Sequence, residues 1–478
     1  MTETFSHDTF ISPLSWRYGS RRMRAVWSEV RKRKLLRQFW VALAKAQAEC
    51  GVVTWEQARD LEASQDDVDL RRAAEIEAEV RHDLVAEIRT FAEQCPLGGG
   101  IIHLGATSND ALDNVDALRM RESLGLVERR LADLLATVAD RIEQWADVPV
   151  MAFTHIQPAE PTTAGYRIAC FGQDLLMDFA AVQRERRAVK GKGVKGAVGT
   201  AAPFAELLTG TGWTAAQLEQ MVMRSLGLEA FTVATQTMPR KQELQIAQVL
   251  SGIAGSLHKF ALDSRILQSR MIGEWSEEFG EHQVGSSAMP FKRNPIAAEN
   301  ICSLARQVSA QVSVAWQNHA NAILERTLDD SGNRRLFLPE LFLLTDEILR
   351  RAGILLKGLS LDRRRSRSTL DGYGQFAASE RVLLAAVRAG GNRQVLHEVL
   401  RRHCMTAWSD VEQGRDNRLS DLLVADPDIR AWLLPETVHS LMSVDTYLGD
   451  APARARAVGS AIRRVAGNGI AADGPDGA

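Results

Sequence analysis

Between Asp110 and Trp145 the chain runs without a proline and with Gly125 as its one glycine, while Leu118, Leu124, Leu131, Leu134, Leu135, Val138 and Ile142 recur at roughly helical spacing. Similar stretches cover about 163–189, 239–273, 295–322 and 339–359, and Pro239, Pro295 and Pro339 stand where first-turn prolines belong. Helices of about 25 to 35 residues are about 40 to 50 Å long. Such lengths suit a multimeric bundle whose core is shared between chains better than one small isolated domain. The expected fold class is therefore all-α, with the long helices forming a central bundle.

Shorter elements flank that centre. An apolar stripe from Trp27 to Ala46 predicts a helix over 21–50, stopped by Gly51. Thr54 is placed to cap a short helix over 54–63, and a longer one is expected over 65–94. The segment Pro96 to Asn109, with Gly98-Gly99-Gly100, reads as an irregular loop. From about Leu361 the pattern shortens again, with turns expected at Gly372 to Gly374 and at Gly390-Gly391. The tail after Ala466 is expected to fray. Three domains follow: 1–109, a long-helix bundle over 110–360, and 361–478.

Composition narrows the partners. Lys and Arg total 58 against 60 Asp and Glu, so a net charge of -2 gives no electrostatic case for nucleic acid or an anionic membrane surface. The five cysteines are scattered, without paired ligand spacing, which points to a reducing compartment and no zinc site. The first residues lack the basic and apolar runs of a signal peptide, and no segment is apolar enough to span a membrane. A cytoplasmic protein is expected.

The most specific segment is GSSAMPFKRNP, Gly285 to Pro295. It offers hydroxyls, backbone amides and a cation on one loop, a set that suits a carboxylate and the spread charge of a carbanion. By composition alone a polar connection before a helix that starts at Pro295 is the favoured reading. The glycine cluster GKGVKGAVGT, Gly191 to Thr200, lacks the Gly-Lys-Ser/Thr ending of a phosphate loop.

Three blocks in order, HLGATSN at His103 to Asn109, FTHIQPAEPTT at Phe153 to Thr163, and the Gly285 loop, resemble the fumarase/aspartase superfamily, whose members release fumarate from substituted succinates. Within it, SPLSWRYGS at Ser12 to Ser20, RHD at Arg81 to Asp83, TQTMPRK at Thr235 to Lys241 and ERTLDDSGNRR at Glu325 to Arg335 resemble the adenylosuccinate lyase family. The resemblance implies β-elimination of fumarate from adenylosuccinate to give AMP, and from succinyl-aminoimidazole-carboxamide ribotide in purine biosynthesis. It implies a homotetramer whose sites are each built from three subunits, a small nucleotide substrate, and neither metal nor organic cofactor.

It also assigns roles. Ser286 matches the general base at the succinyl Cβ, and His155 the acid that protonates the departing purine nitrogen. Lys292 and Asn294 match residues that hold the succinyl carboxylate and the aci-carboxylate; Thr107, Ser108 and Thr154 match further carboxylate contacts. Arg17, Tyr18, Arg326, Ser331 and Arg335 would surround the phosphate, where an arginine fork suits planar oxyanions. Arg81, His82, Asp83 and Gln236 would line base and ribose, and Asn300 belongs to the substrate set. The residue types agree with the chemistry. A nitrogen anion leaves badly, so an imidazolium acid helps, and a carbanion beside a carboxylate needs cations and amide donors.

Plainer readings exist for several of these. His155 alone would be an ordinary loop histidine, His82 beside Asp83 a capping pair, and the DRRRSRS run at Asp362 a solvated helix start. His103, beside Ile101 and Ile102, reads as structural. Arg334 and Arg335, beside Ser-Gly-Asn, favour an anion site. Vertebrate-type members carry Cys-Tyr where this chain has Asn109-Asp110, and Arg where it has Asn300. The alternatives are a sibling lyase or cycloisomerase acting on another succinate-type substrate, or a non-catalytic crystallin-like protein, against which Ser286, His155 and Lys292 argue.

Overall fold

The computed structural model describes residues 7–471 and is all-α apart from a few short strands. Where one helix is expected over 21–50 there are two, α1 (Arg21–Val26) and α2 (Glu29–Glu49), because the Ser28 hydroxyl accepts the Arg31 N–H at 3.2 Å and begins a new helix. α3 (Trp55–Ser64) starts on Thr54, whose hydroxyl and the Gln57 side chain form a reciprocal capping box. The single helix expected over 65–94 is also two, α4 (Leu70–Val80) and α5 (Asp83–Glu93). The break is local: Arg81 takes a left-handed conformation with φ 53°, and the His82 ring accepts the Val85 N–H at 3.4 Å as the cap of α5.

The long helices follow. α6 (Ser108–Trp145) leads into an antiparallel hairpin, β1 (Pro149–Thr154) and β2 (Gln157–Thr163), and then α7 (Ala164–Ala188). The short parallel pair β3 (Lys190–Gly191) and β4 (Glu229–Ala230) brackets α8 (Ala202–Leu207) and α9 (Ala215–Ser225). α10 (Lys241–Gln268), strand β5 (Trp275–Ser276), α11 (Ile296–Ala320), α12 (Asp329–Gly358) and strand β6 (Ser360–Leu361) complete this stretch, with β5 and β6 paired antiparallel. Pro339 is not in a first turn, because α12 begins ten positions earlier, and the proline lies inside the helix. Lacking an N–H, Pro339 leaves the Arg335 carbonyl without its helical donor.

Asp362 caps α13 (Arg363–Arg388) by accepting the Arg365 N–H at 2.9 Å. Gly372 and Gly374 lie inside this helix rather than in a turn. Gly374 is there for close packing, since a Cβ on it would meet Val444 Cγ1 at 2.6 Å. Gly390, with φ 109°, does end the segment. α14 (Arg393–Glu412), α15 (Leu419–Ala425), α16 (Pro427–Arg430), α17 (Pro435–Leu441) and α18 (Ala451–Ala471) follow. The fraying expected after Ala466 falls partly on residues 472–478, outside those described.

By packing the chain forms two compact units. Unit 1 comprises Met1–Arg130, Asp178–Leu257 and Ser303–Arg350, and its interior includes Phe39, Trp40 and Phe91. Unit 2 comprises Leu131–Met177, His258–Cys302 and Arg351–Ala478, and contains a cluster around Ala378, Val382, Leu396, Leu419 and Ile429. No helix among the described residues is long and apolar enough to cross a membrane.

Candidate active site

Unit 1 holds a cavity of about 540 Å³, within the range of small-ligand sites. The α4–α5 junction brings Arg81, His82 and Asp83 to it, the start of α6 brings Ser108, and Gln236, Arg326, Ser331 and Arg335 complete the part foreseen from sequence. Ser331 and Arg335 are one turn apart and share a face of α12. Arg334, rotated by about 100° on the helix, turns into a buried ion cluster with Glu243 (2.6 Å), Asp116 (2.9 Å) and Asp113 (3.7 Å). Burial acts to depress Arg334, yet these carboxylates hold its guanidinium well above its ordinary value. Its charge is therefore committed within the fold, while Arg335 is more than half exposed and pairs with Asp83 at 2.8 Å. Burial works against ionisation of Asp83, but Lys32 and Arg335 together keep its carboxyl below the usual range.

Arg326 is held by Asp330 at 2.7 Å, and Asp330 is in turn held by Arg240 at 2.7 Å. Thr107 sits one residue before the lining, its N–H donating to Asp110 at 2.9 Å. Arg17 and Tyr18 are not part of the lining; their N–H groups close on Pro13 O at 2.8 and 3.0 Å, and the Arg17 guanidinium lies over the Trp16 ring.

The glycine cluster at Gly191 to Thr200 is filled by the protein itself. One Asp110 oxygen accepts from Lys192 Nζ (2.6 Å) and the Lys195 N–H (3.0 Å), the other from the Gly196 N–H (3.1 Å). The Asp110 carboxylate is the anion that these ammonium and amide donors hold. Gly199 is required here, with φ 83° and a Cβ position 1.9 Å from Ala234 O. His103 is structural, as expected: its Nδ1 accepts the Trp40 Nε1–H at 3.0 Å.

Unit 2 carries the remaining predicted residues. His155 and Ile156 form the two-residue turn of the β1–β2 hairpin, with φ 54° and 60°, and Thr154 pairs with Gln157 at its base. That turn needs left-handed backbone at both positions, which a β-branched isoleucine adopts only under strain. The strain coincides with the candidate acid, and both residues are exposed. In the Gly285 loop, Ser286 Oγ accepts the Met289 N–H at 3.1 Å, Asn294 Nδ2 donates to Gly285 O at 3.0 Å, and Lys292 is exposed. The Met289 amide is one donor able to favour an ionised serine oxygen. Asn300, on α11, has a buried Oδ1 without a hydrogen-bond partner.

The cavity also includes Lys32 from α2, Trp27, Asn109 and Arg119, none singled out from sequence. Lys32 lies in the run RKRK, where nothing local separates a cavity residue from solvated charge. Asn109, one of the departures from vertebrate-type members, faces the cavity, whereas Asp110 faces Lys192. Among the described residues no cluster of His, Cys, Asp and Glu could hold a metal ion.

The family described as Lyase matches residues 15–310, and that described as Adenylosuccinate lyase C-terminus matches residues 375–458. The chain is 38% identical over 447 residues to an adenylosuccinate lyase of Schistosoma mansoni, spanning 91% of this chain and 90% of that one. It is 36% identical over 453 residues to an adenylosuccinate lyase of Saccharomyces cerevisiae, spanning 93% of each. Among solved structures, a 3-carboxy-cis,cis-muconate lactonizing enzyme from Pseudomonas putida superposes with a TM-score of 0.82 at 26% identity, covering 94% of this chain and 100% of that one.

Proposed function

The chain belongs to the adenylosuccinate lyase family, and on that basis we propose that it eliminates fumarate from adenylosuccinate to leave AMP. It is a carbon–nitrogen lyase, and succinyl-aminoimidazole-carboxamide ribotide is its second proposed substrate in purine biosynthesis. In the proposed reaction Ser286, as the alkoxide, takes the proton from the succinyl Cβ. The electron pair passes into the adjoining carboxylate as an aci-carboxylate, which Lys292 and Asn294 hold. The C–N bond then breaks as His155 protonates the departing purine nitrogen, and fumarate is released. Thr107, Ser108 and Thr154 bind the succinyl carboxylates. Arg17, Tyr18, Arg326, Ser331 and Arg335 take the phosphate, Arg81, His82, Asp83 and Gln236 the base and ribose, and Asn300 supports the substrate.

The observation that carries this reading is the unit 1 cavity, where Arg326, Ser331 and Arg335 stand with His82, Asp83 and Gln236 around a space fit for a nucleotide. The test is to mix purified protein with adenylosuccinate and follow AMP and fumarate by chromatography. Both products are expected in equal amounts. Absence of fumarate, with turnover of argininosuccinate or a carboxymuconate instead, would overturn the assignment.

The proposed assembly is a cytoplasmic homotetramer with each site drawn from three subunits. The long helices support it: Met177 on α7, Trp316 on α11, and Leu336 and Ile354 on α12 are all more than half exposed in the single chain. Exposed apolar side chains on the long helices of each unit are what another copy would cover in such an assembly. The exposed hairpin tip at His155 fits the same reading, since an acid at a projecting turn can serve a neighbour's site.

A further inference from the structure

Four hydrogen bonds close the neck of the Gly285 loop, all made by two side chains that nothing above assigns to the reaction. The Glu277 carboxylate accepts the Ala298 N–H at 2.8 Å and the Ala297 N–H at 3.0 Å, capping α11 where the loop ends. Gln268, the last residue of α10, accepts the Glu277 N–H at 2.8 Å and donates to Arg293 O at 3.4 Å. The segment between these anchors is largely exposed and carries Ser286 and Asn294, both half-buried, and the exposed Lys292.

We propose that Glu277 and Gln268 are positioning residues: they tie the two ends of the loop together so that Ser286 and Lys292 are presented in one arrangement. The physical basis is loop entropy and charge. A loop pinned at its neck has fewer conformations to lose when its hydroxyl and ammonium must meet the substrate. A carboxylate on the first free N–H groups of α11 is a strong anchor, because it satisfies orphan donors and meets the positive end of the helix dipole. The Glu277 carboxylate bonds the start of α11 and its N–H the end of α10, so its effect falls on the loop between them.

The test compares Glu277→Ala, Glu277→Gln and Gln268→Ala with the parent enzyme by three readouts: kinetics with adenylosuccinate, tryptic cleavage after Lys292 and Arg293, and melting temperature. The kinetic arm rests on the lyase reading; the proteolytic arm does not. Glu277→Ala is expected to lower kcat by about 10- to 100-fold with KM within about threefold, as misplacement of catalytic groups does. Its loop should be cut about tenfold faster at an unchanged melting temperature, the sign of local rather than global opening. Gln268→Ala should move both readouts the same way by less, and Glu277→Gln, which keeps an acceptor but not the charge, should fall between. If Glu277→Ala does not fold, the other two variants decide by the same readouts. Unchanged kcat and unchanged cleavage overturn the proposal, as does faster cleavage that only follows a fall in melting temperature. A parent enzyme that releases no fumarate defeats the lyase reading, and the cleavage rates still judge the neck.

Discussion

The Arg335 guanidinium lies 2.8 Å from the Asp83 carboxylate, although the two residues are 252 positions apart in the chain. The α4–α5 break presents the acid and the second turn of α12 presents the base, and Lys32 stands 3.9 Å from the same carboxylate. Asp83 thus serves as the anion for a residue proposed to bind phosphate.

A phosphate entering the cavity must draw Arg335 from Asp83 and leave Lys32 to balance that acid. Lys32→Met is expected to raise KM for adenylosuccinate about threefold to fivefold with kcat unchanged, the effect of an ion pair worth roughly 1 kcal/mol in a partly solvated site. Steady-state kinetics at fixed ionic strength checks this; a fall in kcat with constant KM would contradict it.

Ser286→Ala and His155→Ala should each lower kcat by about a hundredfold or more while leaving the fold intact, since each removes one partner of a proton transfer. Circular dichroism establishes folding and fumarate release measures turnover. Folded variants that retain parent activity would show that the roles are wrongly assigned.

His103 supplies a pH dependence of stability. Burial is the main cause that pushes its imidazole down to about 4 from the ordinary 6.5, against the opposing Asp110 carboxylate. Its Nδ1 must stay unprotonated to accept the Trp40 N–H. The folded state therefore resists a proton that the unfolded state accepts. Stability is full above about pH 6.5 and declines as pH falls toward 4, by up to about 3 kcal/mol. Urea unfolding at a series of pH values should show this segment of the profile, and His103→Asn should lack it.

Glu243 joins two buried arginines, Arg334 at 2.6 Å and Arg240 at 3.4 Å. Replacing it by Gln removes the carboxylate shared by both buried guanidinium groups and should destabilise the fold by about 3 kcal/mol. Chemical denaturation measures the loss. A variant as stable as the parent would mean that Asp113, Asp116 and Asp330 suffice for both guanidinium groups.

Much of the helical content could be read directly because it rests on local periodicity. Asp110 to Trp145 predicted α6 to within two residues at its start, and Thr54 predicted the cap of α3. The errors arose where one side chain competes with the helix. Ser28 and His82 each accept a backbone N–H and restart the chain, and neither residue type forces that choice. Pro339 by residue type suits a helix start, but α12 already begins at Asp329, with Asp329 and Asp330 in its first turn. Gly372 and Gly374 suggest a turn by residue type, yet both lie inside α13, where Gly374 meets Val444, a contact far along the chain.

The sequence by itself determined the all-α class and the long helices, and by resemblance the superfamily from three ordered blocks, the family from four further stretches, and the candidate residues from both. Those properties reside in local pattern and in residue identity. Which arginine of the Arg334–Arg335 pair stays available, that Asp110 fills the glycine-rich loop, that Lys32 faces the cavity, and that Glu277 and Gln268 close the loop neck were decided only in three dimensions. Each depends on a partner distant in sequence, and for a charged side chain the nearest counter-charge, rather than its neighbours along the chain, determines whether it is bound up in the fold or free for a ligand.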